Sequence, residues 1–118
     1  MEEKAAINSL FKLIRKKIKS EECTRAIMVA HNASFDQGFL HAACDRTGIK
    51  RNPFHPFSTI DTVSLAAIAF GHTVLSESCD RAGLEFDGSK AHQAAYDANR
   101  TAALFCKIVN ESNFEFSP

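Results

Sequence analysis

The chain has 118 residues, no net charge at neutral pH with histidine neutral, and contents of 45% hydrophobic and 24% charged residues. This length and composition are typical of one soluble domain, and we expect a single domain over residues 1–118. No apolar run approaches the roughly 20 residues of a membrane-spanning helix, so we expect no helical span. The charged start, Met1–Lys4, is not followed by the apolar core of a signal peptide, so we expect a cytoplasmic protein.

The four cysteines are widely spaced and form no CxxC pair. Zinc sites usually bring two ligands close together in sequence, so this spacing argues against structural zinc. We expect buried, reduced thiols instead.

The first half of the chain alternates between helix and strand patterns. Apolar residues recur at helical spacing over residues 5–18, and the opposite face of this predicted helix is basic. The short apolar run Ala26–Ala30 predicts a strand that is buried on both faces. Ser34 and Gln37 match an S-x-x-Q capping box, which predicts a helix that begins there and ends at Gly48.

Prolines and glycines divide the second half. The predicted elements are an ordered loop over residues 50–57, a short strand over 57–60, and helices over 62–70, 74–82 and 91–109. Asp61 is placed to cap the first of these helices. The inner face of the last helix is predicted to include Ala95, Ala98, Ala102, Phe105 and Val109. Strands separated by helices predict parallel pairing in an α/β sandwich. Because two parallel strands make a poor sheet alone, this order also indicates that part of a larger sheet is missing.

Two segments carry residues suited to chemistry. The first is His31–Asp36, where the chain leaves the predicted strand at its carboxyl end, the edge at which open α/β sheets place their sites. Asp36 falls in the first turn of the next helix, where it fits a simple complement to the helix dipole equally well. The second segment pairs His92 with Asp97, whose spacing corresponds to about 140° on a regular helix. They converge only if His92 lies on the preceding loop, and this pattern alone fits a surface histidine better.

Together these segments resemble the ribonuclease T family, within the DEDDh superfamily of 3′→5′ exonucleases. His31–Asp36 looks like the second exonuclease motif, His92-x-Ala94-x-x-Asp97 matches the third, and Arg51–Phe57 is similar to a stretch characteristic of ribonuclease T. The resemblance implies an α/β, ribonuclease H-like exonuclease fold that lacks its first three strands, leaving a short parallel sheet covered by helices. It also implies a homodimer that trims single-stranded 3′ ends of RNA such as tRNA, assisted by two Mg²⁺ ions.

The same resemblance assigns the chemistry to three side chains. Asp36 and Asp97 take the positions of metal ligands, and His92 takes the position of the general base. The family's first motif, a D-x-E pair on the first strand, has no counterpart in this sequence. Because two carboxylates cannot hold two Mg²⁺ ions firmly against hydration, we expect no activity without the missing acids.

Five further residues match substrate-binding positions of the family. Phe35 and Phe57 correspond to aromatic rings that stack on the 3′-terminal bases, although either would also suit a hydrophobic core. Lys19, Arg25 and Lys50 resemble a basic RNA-binding patch that serves the active site of the partner subunit. For each lysine alone, a solvated surface position is the more common interpretation.

Two functional hypotheses follow from the resemblance. In the first, the chain is an exoribonuclease that works only when the missing N-terminal part is supplied. In the second, it is a non-catalytic RNA-binding or dimerisation remnant. In the family the missing first strand lies beside the strand at Ala26–Ala30, so we also expect an open edge there.

Overall fold

The computed structural model describes residues 2–113 of the chain. The predicted α-β-α-β-α-α-α order is confirmed, with one added 3₁₀ turn at Gly88–Lys90. The elements are α1 (Glu3–Ser20), β1 (Ala26–Ala30), α2 (Ala33–Thr47), β2 (Phe54–Asp61), α3 (Thr62–Phe70), α4 (Leu75–Arg81) and α5 (Ala94–Glu111).

The chain divides into two compact units. The first unit comprises the residues up to Met28 together with Ala33–Ile60, and the second comprises Val29–Asn32 and the residues from Asp61 onward. Among the described residues, no helix combines the length and the apolar character needed to cross a membrane.

Helices α1 and α2 supply the core of the first unit. Ile7, Phe11 and Cys44 are buried together, and the rings of Phe11 and Phe54 meet edge to face with centroids 6.5 Å apart. Ile7 and Phe11 are four residues apart on the apolar stripe of α1, so the predicted amphipathic helix is confirmed. At the ends of α1 and α2, Glu3 and Arg46 form an ion pair at 2.8 Å.

The sheet consists of β1 and β2 paired in parallel. The prediction that β1 is buried on both faces is wrong for this chain, because none of its five residues is fully buried and Ile27 is exposed. Among the described residues, β1 pairs with no strand other than β2. Strand β2 begins at Phe54, earlier than predicted, and includes part of the proline segment. Pro56 fits there because each strand of a two-stranded sheet is an edge strand.

The predicted capping box at the start of α2 is wrong. The helix begins one residue before Ser34, which places that serine inside the first turn rather than at the N-cap. The Gln37 amide donates instead to the carbonyl oxygens of His55 and Pro56, at 3.4 and 3.5 Å. Asn32 leads into the helix with φ 73°, in the left-handed region that asparagine tolerates better than most residues.

Both ends of α3 agree with the prediction. The Asp61 carboxylate accepts a hydrogen bond from the Val63 backbone N–H at 2.9 Å, which caps the helix. The helix ends at Gly71, whose φ of 71° lies in the left-handed region that lacks a steric penalty only for glycine.

The second unit has its own core between α3, α4 and α5. Ala66, Cys79, Ala82 and Leu104 are buried there, with larger side chains packed around them. The inner face predicted for α5 is wrong at its three alanines, which are exposed: Ala95, Ala98 and Ala102. The buried positions of α5 are Thr101 and Leu104, each one residue before a predicted inner position and therefore rotated by about 100°.

The expectation of buried thiols is confirmed for two of the four cysteines. Cys44 and Cys79 are buried, whereas Cys23 and Cys106 are exposed, and all four are free. Burial raises the pKa of the Cys44 and Cys79 thiols.

Candidate functional site

The second unit brings His92 and Asp97 together at the start of α5. The backbone N–H of His92 faces both carboxylate oxygens of Asp97, at 3.1 and 3.3 Å. The helix begins at Ala94 rather than at residue 91, so His92 lies on the preceding loop. This arrangement is the one that the five-residue spacing required.

His92 adopts an uncommon backbone conformation. Its φ of 70° is left-handed, which is uncommon for a residue other than glycine. The Asp97 carboxylate accepts its N–H and lies in the first turn of α5, where the helix dipole favours a negative charge. Asp97 therefore stabilises the turn that presents the exposed imidazole of His92.

Asp36 lies in the first unit, on the first turn of α2. Its side chain is exposed and borders an apolar groove beside Phe39 and Met28. Across residues 2–113, no group of three or more His, Cys, Asp or Glu side chains is arranged to hold a metal ion. Carboxylates at Asp36 and Asp97 fit Mg²⁺ in donor chemistry, because Mg²⁺ prefers hard oxygen ligands. In number they fall short of a complete two-ion site.

The histidine of the second motif has a structural position that the sequence did not indicate. His31 Nε2 lies 2.7 Å from the Thr73 carbonyl oxygen, and Nδ1 lies 2.8 Å from the Thr62 hydroxyl. A carbonyl only accepts, so Nε2 donates to the Thr73 oxygen, while Nδ1 shares a hydrogen bond with the Thr62 hydroxyl, which can donate or accept. The next residue, Asn32, donates its backbone N–H to Asp61 at 3.0 Å. These contacts fix the carboxyl end of β1 against the start of α3.

The two phenylalanines matched to substrate positions both lie on the surface of the first unit. Phe35 is 62% exposed and Phe57 is 78% exposed, so the alternative that they are core residues is wrong for this chain. The ring of Phe35 meets that of Phe39 edge to face at 4.7 Å, and Phe57 meets His55 in the same way at 4.5 Å. Each ring thus contacts one aromatic neighbour and is still more than half exposed to solvent.

The three cations matched to an RNA-binding patch line one surface, which we call the basic cleft. It measures about 590 Å³ and is lined by Arg15, Ile18, Lys19, Cys23, Thr24, Arg25, Lys50, Arg51, Asn52 and Pro53. The lining includes five cationic residues and no acidic one. Arg15 donates to the Arg51 carbonyl oxygen at 3.0 Å, which ties α1 to the segment before β2. The sequence placed Arg15 in the basic cluster of the first helix but did not indicate that it meets Arg51, which lies 36 residues away.

Comparison with known proteins assigns the family. Residues 5–105 match the sequence model of a protein family that is described as exonuclease, of the ribonuclease T type. The chain belongs to this exonuclease family. It is 62% identical over 105 residues to a ribonuclease T of Hahella chejuensis, 60% to that of Salmonella typhimurium and 58% to that of Escherichia coli K12.

The exonuclease assignment covers most of this chain but only part of its relatives. The matched region is 89% of this chain and 48–49% of each of those three relatives, so the chain spans about half of their length. The predicted relationship to ribonuclease T and the predicted α/β, ribonuclease H-like fold are confirmed. The family that the chain belongs to is one of exonucleases, which are hydrolases.

Proposed function

We propose that this chain supplies the second and third motifs of a Mg²⁺-dependent 3′→5′ exoribonuclease that trims single-stranded 3′ ends of RNA such as tRNA. The observation that carries the proposal is the contact between His92 and Asp97 at the start of α5. The two residues belong to the H-x-A-x-x-D motif of this chain, which is a member of the exonuclease family. Catalysis would also require the D-x-E acids that this sequence lacks, so the chain alone would be inactive.

Asp36 and Asp97 would hold the metal ions. Each lies in the first turn of a helix, where the dipole stabilises the ionised carboxylate that a metal requires. Bound Mg²⁺ would supply polarisation of the scissile phosphate and of the attacking water. Two carboxylates leave most of the coordination positions to water, which is why further acids are needed.

His92 would accept the proton of the attacking water. An imidazole is the side chain whose ordinary pKa suits proton transfer near neutral pH. Its ring is exposed on the loop before α5, while its backbone is held by Asp97. Asp97 would therefore have two functions, as a metal ligand and as the group that positions the base.

The RNA would be bound through stacking and charge. Phe35 and Phe57 are exposed aromatic side chains on which terminal bases would stack, worth about 1–3 kcal/mol per base. The basic cleft, with Lys19, Arg25 and Lys50, would neutralise backbone phosphates. In a homodimer the basic cleft of one subunit would serve the active site of its partner.

A non-catalytic RNA-binding or dimerisation protein is the second candidate. The basic cleft favours it, because the cleft is complete within the first unit and needs neither metal nor the missing acids. This candidate predicts RNA binding without cleavage in any context.

A hybrid enzyme separates the two candidates. In it, this chain would replace the matched region of Escherichia coli ribonuclease T, and the rest of that enzyme would supply the half that this chain does not span. We expect the hybrid to shorten 5′-labelled single-stranded RNA with Mg²⁺, and Asp36→Ala, His92→Ala and Asp97→Ala each to abolish shortening. The chain alone should leave the RNA intact. An inactive but folded hybrid, or activity that survives Asp97→Ala, would overturn the catalytic proposal.

The basic cleft has its own test in RNA affinity against salt. Lys19→Gln should weaken binding and reduce the slope of log affinity against log salt by about 0.7, as expected for one phosphate contact on a single strand. Lys12→Gln is the matched control, since Lys12 is exposed on the same helix but does not line the cleft. Equal effects of the two variants would show that the cleft is not the binding surface.

A further inference from the structure

Phe57 is an exposed ring on a strand of a two-stranded sheet. Its side chain is 78% exposed and belongs to β2, which pairs with β1 in the described chain. A side chain in such a position is not fixed by a surrounding core, so its direction depends on the local backbone. Stacking on a base requires an oriented ring, because ordering a mobile side chain during binding reduces affinity. Contacts that hold the segment around Phe57 therefore bear on how well it binds RNA.

His55 accepts two backbone hydrogen bonds from that segment. Its Nδ1 accepts the N–H of Ser58 at 2.9 Å and the N–H of Phe57 at 3.3 Å. Nδ1 therefore carries no proton, because a backbone N–H only donates. The backbone of Phe57 sets the direction of its Cα–Cβ bond, so this acceptor fixes the point from which the ring projects.

The imidazole of His55 also contacts the ring of Phe57. The two rings meet edge to face, with centroids 4.5 Å apart and planes at 85°. His55 is half-buried, and its carbonyl oxygen accepts from the Gln37 amide of α2 at 3.4 Å. One side chain thus contacts both the backbone and the ring of Phe57, and its own backbone is bonded to the helix that carries Phe35. All four residues lie in the first unit.

A purely local role in the turn is the alternative for His55. The chain contains similar contacts elsewhere: His72 Nδ1 accepts the Val74 N–H at 3.1 Å, and Asn52 Oδ1 accepts the Phe54 N–H at 2.9 Å. His55 differs from both in the residue that it holds, which is an exposed aromatic ring matched to a substrate position.

We propose that His55 is a positioning residue for RNA binding, whose Nδ1 holds the backbone of Phe57 so that the ring is oriented for a 3′-terminal base before RNA binds. This inference deepens the proposed function and rests on its claim that bases stack on Phe57. It requires neither metal nor the D-x-E acids, so the chain alone is sufficient for the test.

RNA binding is compared for two oligonucleotides. One is a short single-stranded RNA with a fluorophore at its 5′ end, and the other is the same RNA without bases on its 3′-terminal nucleotides. Fluorescence anisotropy gives Kd for each, and we call the Kd of the abasic RNA divided by that of the complete RNA the terminal-base ratio. A change in phosphate binding or in the amount of folded protein alters both Kd values alike, whereas a loss of base stacking lowers the ratio.

Variants at positions 55 and 57 should change this ratio in a defined order. Phe57→Ala should lower the terminal-base ratio by at least about fivefold, the loss of one stacked base. His55→Ala should lower it by at least about threefold, because the ring must then be ordered during binding. His55→Asn should stay within about twofold of the natural chain, since asparagine accepts a backbone N–H two residues on, as Asn52 does. His55→Phe keeps an aromatic ring beside Phe57 but has no acceptor, and should behave as His55→Ala.

His72→Ala is the matched control. It removes a contact of the same kind, to the Val74 N–H in the second unit, and should leave the terminal-base ratio within about twofold of the natural value. Circular dichroism would check that each variant is folded. If His55→Ala does not fold, the comparison of His55→Asn with His55→Phe still decides the matter.

The outcomes separate this inference from the proposed function. A ratio that Phe57→Ala lowers and His55→Ala leaves unchanged would overturn the role of His55 alone. Recovery in His55→Phe but not in His55→Asn would do the same, because it would assign the support to the ring contact. Absence of RNA binding, or a ratio that Phe57→Ala leaves unchanged, would overturn the proposed stacking and this inference together. The expected ratios alongside an inactive hybrid enzyme would reject the catalytic proposal and leave this one standing.

Discussion

Asp61 provides the sharpest test of the local structure, because one carboxylate oxygen holds two backbone segments. Its Oδ1 accepts from the Val63 N–H at 2.9 Å, which caps α3, and from the Asn32 N–H at 3.0 Å, which holds the turn after β1. Loss of an N-cap costs about 1 kcal/mol, and loss of a second hydrogen bond costs about 1 kcal/mol more. We therefore expect Asp61→Ala to lower the free energy of unfolding by about 2 kcal/mol.

Urea unfolding followed by circular dichroism measures this loss of unfolding free energy. In a thermal unfolding experiment the same loss should lower Tm by about 8 °C for a chain of this size. Asp61→Asn is the conservative variant, since it keeps an oxygen that can accept both hydrogen bonds and should recover at least half of the loss. Asp80→Ala, at an exposed position on α4, controls for removal of a carboxylate and should change stability by less than about 0.5 kcal/mol. If Asp61→Ala proves as mild as Asp80→Ala, or Asp61→Asn as damaging as Asp61→Ala, the proposed double contact is wrong.

Three further predictions concern the core, the thiols and pH. Leu104→Ala should cost about 2–5 kcal/mol in the same urea assay, because its side chain is fully buried, and a loss below about 1 kcal/mol would contradict that burial. Cys44 and Cys79 should resist alkylation in the native protein while the two exposed thiols react, as mass spectrometry would show; equal reactivity of all four would refute the assigned burial. Hydrogen bonds from the hydroxyl and backbone N–H of Ser89 lower the pKa of Asp87. Their stabilisation is present above the ordinary carboxyl pKa and is lost as pH falls through the lowered value. Ser89→Ala should raise the Asp87 pKa in an NMR titration, and an unchanged pKa would contradict the contact.

Much of the fold could be predicted because several signals are local. Asp61 and Gly71 mark the ends of α3 through their own chemistry, a carboxylate for free N–H groups and a glycine for positive φ. The predicted capping box was wrong because a contact with a distant segment was not visible in the local sequence. Ser34 has the right spacing, but Gln37 finds acceptors on β2, a contact that depends on tertiary structure rather than on nearby sequence.

The inner face of α5 shows the limit of periodicity. The helix carries two adjacent apolar stripes, one through alanines such as Ala98 and Ala102 and one through Leu104 and Ile108. Spacing alone does not decide which stripe is inward. Leu104 is buried in one cluster with Ala66 of α3 and Ala82, the residue that follows α4, and both of these small side chains leave room for it.

The candidate site was predictable to different degrees. For His92 and Asp97 the spacing set only a condition: residues five apart on one helix do not share a face, so the two could meet only with His92 outside the regular helix, where it lies. The basic cleft was predicted only in part, since Arg15 and Arg51 meet through a hydrogen bond between distant segments. The position of His31 between Thr62 and Thr73 left no trace in the local pattern.

We propose that Asp36 and Asp97 act on the same metal-assisted step. A double-mutant cycle in the hybrid enzyme tests this proposal most directly. The rate constant of Mg²⁺-dependent RNA shortening would be measured for Asp36→Asn, Asp97→Asn and the double variant. Ligands of one catalytic centre act as a unit, so the double variant should be about as slow as the slower single variant. Effects that multiply would place the two carboxylates in independent roles and contradict the account.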